Sequence, residues 1–98
     1  MLSVRDIKNF IEPVVRDTNV VRVVLFGSYA KGTANINSDI DLYVFSGGAI
    51  TGLAFYDLKA KIEDALATQV DLIPDLDVIT DSPVHRHILE SGVVVYER

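Results

Sequence analysis

A β-branched apolar run, Val20-Val-Arg-Val-Val-Leu-Phe26, ends abruptly at Gly27-Ser28, and this junction constrains the fold more than any other segment. Branched side chains are confined at χ1 and favour extended backbone. An apolar run of this length closed by glycine reads as a buried strand. The chain must therefore leave a packed sheet at Gly27 and turn at once. A short helical turn is expected over 28 to 31, then a loop over 32 to 38 rich in Thr and Asn.

The segment 39 to 45 alternates, with Ile40, Leu42 and Val44 on one side and Asp39, Asp41, Tyr43 and Phe45 on the other. That is the period of a strand with one buried face. Apolar positions Ile7, Phe10, Ile11 and Val14 recur at helical spacing over 3 to 17, with Ser3 as N-cap. Pro13 predicts a kink or an early end to that helix. A second helix is expected at about 53 to 67, with Phe55, Leu58, Ile62, Ala65 and Leu66 inward. A strand follows over 69 to 73, closed by Pro74. Ser82-Pro83 starts a last helix, with proline at its first position and Gly92 at C′, before a final strand over 93 to 96. Helices alternating with short strands predict an α/β (α+β) arrangement built on a small sheet.

A length of 98 residues points to one domain, 1–98. With no cysteine, disulfides and thiolate metal sites are excluded. No apolar run is long enough to span a bilayer, and the first residues lack the order of a signal peptide, so a cytoplasmic protein without membrane contact is expected. The net charge is −5 and the nine Lys and Arg are scattered, which argues against direct polynucleotide binding. The hydrophobic content of 49% is high for so short a chain. It fits either a strand-rich core or an apolar face that a partner covers.

Asp39 and Asp41 lie two apart in one predicted strand. Their carboxylates would share a face with Cα atoms roughly 6.5–7 Å apart. Carboxylates so placed repel unless a cation neutralises them, and oxygen ligands suit Mg²⁺ or Mn²⁺. A pair of solvated aspartates is the alternative. Gly27-Ser28, between strand and helix start, offers backbone N–H groups and a hydroxyl to an anion. It also reads as a plain glycine turn with Ser28 as N-cap. The stretch Gly27-Ser-Tyr-Ala-Lys31-Gly-Thr33 is not a P-loop, because there the lysine follows the second glycine. His85 and His87 are two apart on a predicted helix and do not share a face for a metal. Tyr29, Tyr43, Tyr56 and Tyr96 read as packing residues, and Asp75 and Asp77 as loop residues.

Gly27-Ser28, ten intervening residues, and then Asp39-Ile40-Asp41 together resemble the signature of the polymerase β-like nucleotidyltransferases, in particular their minimal branch. Val70-Asp71-Leu72 resembles the strand that carries the family's third carboxylate. The resemblance implies the nucleotidyltransferase fold, a small mixed sheet of about four strands flanked by helices. It implies that Gly27, Ser28 and Lys31 hold the triphosphate of ATP; Lys31 stands where many relatives have arginine. Asp39, Asp41 and Asp71 would hold two Mg²⁺ ions, with Mn²⁺ as a substitute, and Asp71 would also orient or deprotonate the acceptor hydroxyl. The chain is too short to carry a second domain for an acceptor. Resemblance to the minimal branch implies a HEPN-type toxin as partner, with AMP moved from ATP to a tyrosine of that toxin and the chain acting as antitoxin. A non-catalytic antitoxin that covers its toxin, and a transferase acting on small molecules, alone or as a homo-oligomer, are the other two readings.

Overall fold

The computed structural model describes residues 1–98, the side chain of residue 76 excepted. In chain order the elements are α1 (Val4–Val15), β1 (Arg22–Phe26), α2 (Ser28–Lys31), β2 (Ile40–Phe45), α3 (Gly52–Leu66), β3 (Val70–Pro74), a 3₁₀ turn (Asp75–Asp77), α4 (Pro83–Ser91) and β4 (Val93–Glu97). The four strands form one mixed sheet in the order β3-β2-β1-β4. β1 runs antiparallel to both β2 and β4, whereas β2 and β3 are parallel. The mixed α/β architecture expected from the sequence is the one observed.

Helix α1 starts where Ser3 predicts. The Asp6 backbone N–H donates to Ser3 Oγ and the Ser3 N–H donates to Asp6 Oδ2, both at 3.0 Å, which satisfies two otherwise orphaned donors. Pro13 lies inside this helix, which ends two residues later at Val15, short of the expected residue 17. Proline forfeits only one hydrogen bond in the last turn, and its ring is exposed. Ile7, Ile11 and Val15 are wholly buried and hold the helix by packing.

The inner face of the sheet carries Val23 and Leu25 from β1, Ile40, Leu42 and Val44 from β2, Val70 and Leu72 from β3, and Val95 from β4. These pack with α1 and with Leu58, Ile62 and Leu66 of α3 into one core. Phe55 of α3 packs at its edge. Because side chains alternate along a strand, Val24, Phe26, Asp41, Tyr43 and Asp71 fall on the opposite, outer face. Val24 and Phe26 are nevertheless buried, and α4 contacts β1. Of the four tyrosines, Tyr29 and Tyr96 pack against the core as expected; Tyr56 is 67% exposed and does not. Asp75 and Asp77 lie in the 3₁₀ turn, where Asp75 Oδ1 accepts a 3.4 Å bond from the Ser46 N–H.

Ser82 caps α4 as predicted, its Oγ accepting from the His85 N–H at 3.1 Å. Gly92 differs from expectation. It is not left-handed but extended, with φ −69° and ψ 142°. Glycine stands there for space: an added Cβ would lie 2.3 Å from the Ile88 carbonyl oxygen and 2.6 Å from Val24 Cγ1. The absent side chain lets α4 settle on β1. Gly92→Ala is expected to lower stability by about 1–3 kcal/mol, the usual cost of overpacking, read as a lower urea midpoint. Among the described residues no helix is long and apolar enough to cross a membrane.

Candidate active site

Strand β1 delivers the chain to Gly27, whose φ of 74° and ψ of −152° are accessible in practice to glycine alone. Gly27, not Ser28, is the N-cap of α2; Ser28 is the first helical residue, and no side chain caps this end. The first bond within α2 runs from the Lys31 N–H to the Gly27 carbonyl at 3.1 Å. The N–H groups of Ser28, Tyr29 and Ala30 therefore have no partner within the helix. Lys31 is exposed at the other end of this single turn.

The ten-residue spacing becomes a compact return loop. Gly32, with φ 74°, closes α2, and the Thr33 N–H bonds the Ser28 carbonyl at 3.0 Å. Asn35 and Ser38 then lock a tight turn: the Asn37 N–H donates to Asn35 Oδ1 at 2.8 Å and the Asn35 N–H to Ser38 Oγ at 2.9 Å. The chain re-enters the sheet beside the strand it left, so that Phe26 pairs with Asp41. Gly27 and Asp41, fourteen positions apart, are thereby in contact. A Cβ on Gly27 would stand 2.3 Å from Asp41 Oδ2.

Asp41 and Asp71 are direct partners across the parallel β2–β3 ladder. Neighbouring strands lie about 4.8 Å apart and paired residues share a face, so these two carboxylates stand side by side on the outer face. Asp39 differs from the reading that put it within the strand. It immediately precedes β2 and is exposed. Its charge still reaches Asp41. The Asp41 carboxyl is pushed above its ordinary range by partial burial first, then by the negative charges of Asp71 and Asp39; His87 pulls the other way. Sequence reasoning missed both His87 and the contact between Gly27 and Asp41. Neither has a local signal, since each depends on chain segments far apart in sequence.

Tyr43, two residues beyond Asp41 on the same face, also has its ionisation raised by burial, with Asp75 adding to the effect and Arg22 opposing it. Among the described residues no three carboxylate or imidazole side chains converge as a ready-made cage for a cation. The donor set nonetheless fits a hard divalent ion. Mg²⁺ is commonly held by one or two carboxylates, with phosphate oxygens and water as the remaining ligands. Four surface hollows of about 240, 260, 290 and 170 Å³ are lined without Gly27, Ser28, Asp39, Asp41 or Asp71. The carboxylates thus occupy none of these hollows.

The family model "Polymerase beta, Nucleotidyltransferase" matches residues 7–98. The protein adenylyltransferase MntA of Shewanella oneidensis is 41% identical over 51 residues, which are 52% of this chain and 37% of that protein. The match therefore spans little more than a third of that relative. A protein of Methanocaldococcus jannaschii, provisionally named a protein adenylyltransferase, is 33% identical over 72 residues, 74% of this chain and 77% of its own. A crystal structure of a toxin–antitoxin pair with AMP-PNP contains a chain of similar fold, with a TM-score of 0.77 and 29% identity over 93% of this chain and 73% of that one.

Proposed function

The chain belongs to the polymerase β nucleotidyltransferase family, and from that premise we propose that it transfers AMP from ATP to a tyrosine hydroxyl of a HEPN-type toxin and acts as the antitoxin. The observation that carries this reading is the side-by-side placement of Asp41 and Asp71 with Gly27 pressed against Asp41. Names and structures of relatives supply the acceptor class: protein adenylyltransferases, and toxin–antitoxin pairs.

In this mechanism the unbonded N–H groups after Gly27, the Ser28 hydroxyl and Lys31 hold the triphosphate tail. The acceptor oxygen attacks the α-phosphorus in line, the bond from that phosphorus to the bridging oxygen breaks, and pyrophosphate leaves. Asp71, exposed at the start of β3, orients the acceptor hydroxyl and takes its proton. Two Mg²⁺ or Mn²⁺ ions held by Asp39, Asp41 and Asp71 would supply neutralisation of the phosphate charge. Phosphoryl transfer asks for positioning and charge compensation rather than covalent help, which is why a domain this small suffices.

Charge repulsion around Asp41 has a measurable consequence. Mg²⁺ at a concentration 100-fold above its dissociation constant should stabilise the wild type by about 2.7 kcal/mol at neutral pH. At roughly 4–8 °C per kcal/mol this is a readily visible rise in Tm. Asp39→Asn with Asp41→Asn should show none of it. A wild-type melting curve unmoved by millimolar Mg²⁺ would count against the metal site.

The deciding experiment titrates ATP with Mg²⁺ into wild type and into the Asp39→Asn, Asp41→Asn double variant, then measures the mass of a co-expressed HEPN protein. Binding that the variant loses, with a mass gain of one adenylyl group on the partner, supports adenylyl transfer. Full toxin neutralisation by the double variant would sink it in favour of an antitoxin that works by covering its partner. Among the described residues six large apolar side chains, Met1, Ile36, Leu53, Tyr56, Ile79 and Leu89, are each at least 67% exposed and open to such a contact.

A further inference from the structure

Asp71 occupies the least supported part of the proposed site. β3 is an edge strand, bonded to β2 on one side only. Asp71 is its second residue and is exposed. The end of an edge strand frays unless something ties it down. Here the tie is Glu63, in the last turn of α3. Its Oε2 accepts a 3.0 Å bond from the N–H of Val70, the residue before Asp71. Its backbone carbonyl accepts the Thr68 N–H at 3.3 Å, while Ala67 turns left-handed at φ 54°. One residue therefore fixes both the exit from α3 and the entry into β3.

The helix alone gives no reason for a carboxylate here, because a negative charge in the last turn opposes the helix dipole. Glu63 also takes part in neither ion pair found among the described residues, Arg22 with Glu97 and Asp57 with Lys61. Its half-buried carboxylate is aimed at a backbone amide instead, in a charge-assisted hydrogen bond. We propose that Glu63 is a positioning residue: through the Val70 N–H it holds the start of β3 so that Asp71 stays in place beside Asp41. The proposal rests on the adenylyltransferase reading, in which Asp71 orients the acceptor. Val70 pairs with Ile40 and Asp71 with Asp41, so one step along the ladder separates the clamp from the paired carboxylates. The buried side chains of Val70 and Leu72 keep β3 in the sheet without the clamp. What Glu63 adds is a fixed position for the exposed carboxylate between them.

The test compares wild type, Glu63→Ala and Glu63→Gln by amide hydrogen exchange, urea unfolding and the kinetics of adenylyl transfer to the partner. Glu63→Ala should speed exchange of the Val70 amide roughly tenfold or more, with the rest of the sheet unchanged. It should lower kcat roughly 10- to 100-fold, as displacement of a reacting group by up to about an ångström does. KM for ATP should hardly change, because the proposed triphosphate contacts lie on Gly27 and α2. Glu63→Gln keeps an acceptor oxygen and should restore both protection and rate. In an Asp71→Asn background, measured with enzyme in excess, Glu63→Ala should cost little further rate, since nothing is left for it to position. An undiminished further loss there overturns the assignment, because Glu63 would then act on the structure at large. Unchanged Val70 exchange or unchanged kcat in Glu63→Ala also overturns it, while leaving the adenylyltransferase reading intact. So does a glutamine variant as impaired as the alanine variant, or an alanine variant that fails to fold. Absence of transfer by the wild type overturns both readings together.

Discussion

Gly27→Ala is expected to slow the proposed adenylyl transfer at least ~100-fold while the sheet still forms. Two independent costs fall on this one methyl group. The backbone, at φ 74° and ψ −152°, lies where a residue with a Cβ is strained by about 1–3 kcal/mol. The methyl would also stand 2.3 Å from Asp41 Oδ2, so the carboxylate must move or the β1–α2 turn must open. Either response displaces a group by about an ångström, and misplacement on that scale costs on the order of 100-fold in rate. The core is remote from the contact, because Asp41 and Gly27 meet on the outer face. Far-ultraviolet dichroism should stay native, with a lower urea midpoint and a transfer rate down at least 100-fold. A variant with wild-type ATP affinity and rate would show that Gly27 is an ordinary turn residue.

Asp41→Asn should separate stability from activity. If Asp41 holds metal as proposed, transfer should fall on the order of 10³-fold, since several kcal/mol of charge stabilisation is lost. In metal-free buffer at neutral pH the same variant should be more stable than wild type. The sign follows from Asp41's carboxyl being raised above its ordinary value by burial and by Asp71 and Asp39. The folded state then holds that proton more tightly than the unfolded chain does. Its contribution is fully present below the ordinary aspartate value of 3.8 and is lost as pH rises through the raised value. Above that range the ionised carboxylate opposes folding, and asparagine removes the burden. Urea unfolding in EDTA should find the variant more stable at pH 7, with the advantage shrinking as pH falls toward the ordinary carboxylate range. A variant less stable than wild type at pH 7 would mean that the site is not electrostatically strained. Such strain at a candidate site matches the usual exchange of stability for chemistry.

Much of the fold was legible because its signals are local. The alternation of Ile40, Leu42 and Val44 against Asp41 and Tyr43 placed β2's buried face correctly, since strand period depends on backbone geometry alone. Ser3 and Ser82 announced the starts of α1 and α4 through bonds made within three residues. Pro13 stands inside α1, two residues before its end: a proline's cost is local, whereas the burial of Ile7, Ile11 and Val15 that offsets it comes from the rest of the molecule. Gly92 misled: glycine after a helix usually marks a left-handed turn, yet here it makes room for Val24 and the Ile88 carbonyl.

The sequence by itself determined which residues are candidates for the chemistry. It placed Gly27-Ser28 at a strand end, Asp41 on the polar side of an alternating strand and Asp71 within an apolar run, because residue type and local period are written along the chain. Only the tertiary structure decided what those residues meet. The parallel register set Asp71 beside Asp41, the Asn35–Ser38 turn returned Asp41 to Gly27, and the close approach of Gly92 to Val24 seated α4 on β1. Strand register and helix placement are resolved by burying the whole core at once, and no window of the sequence contains that sum.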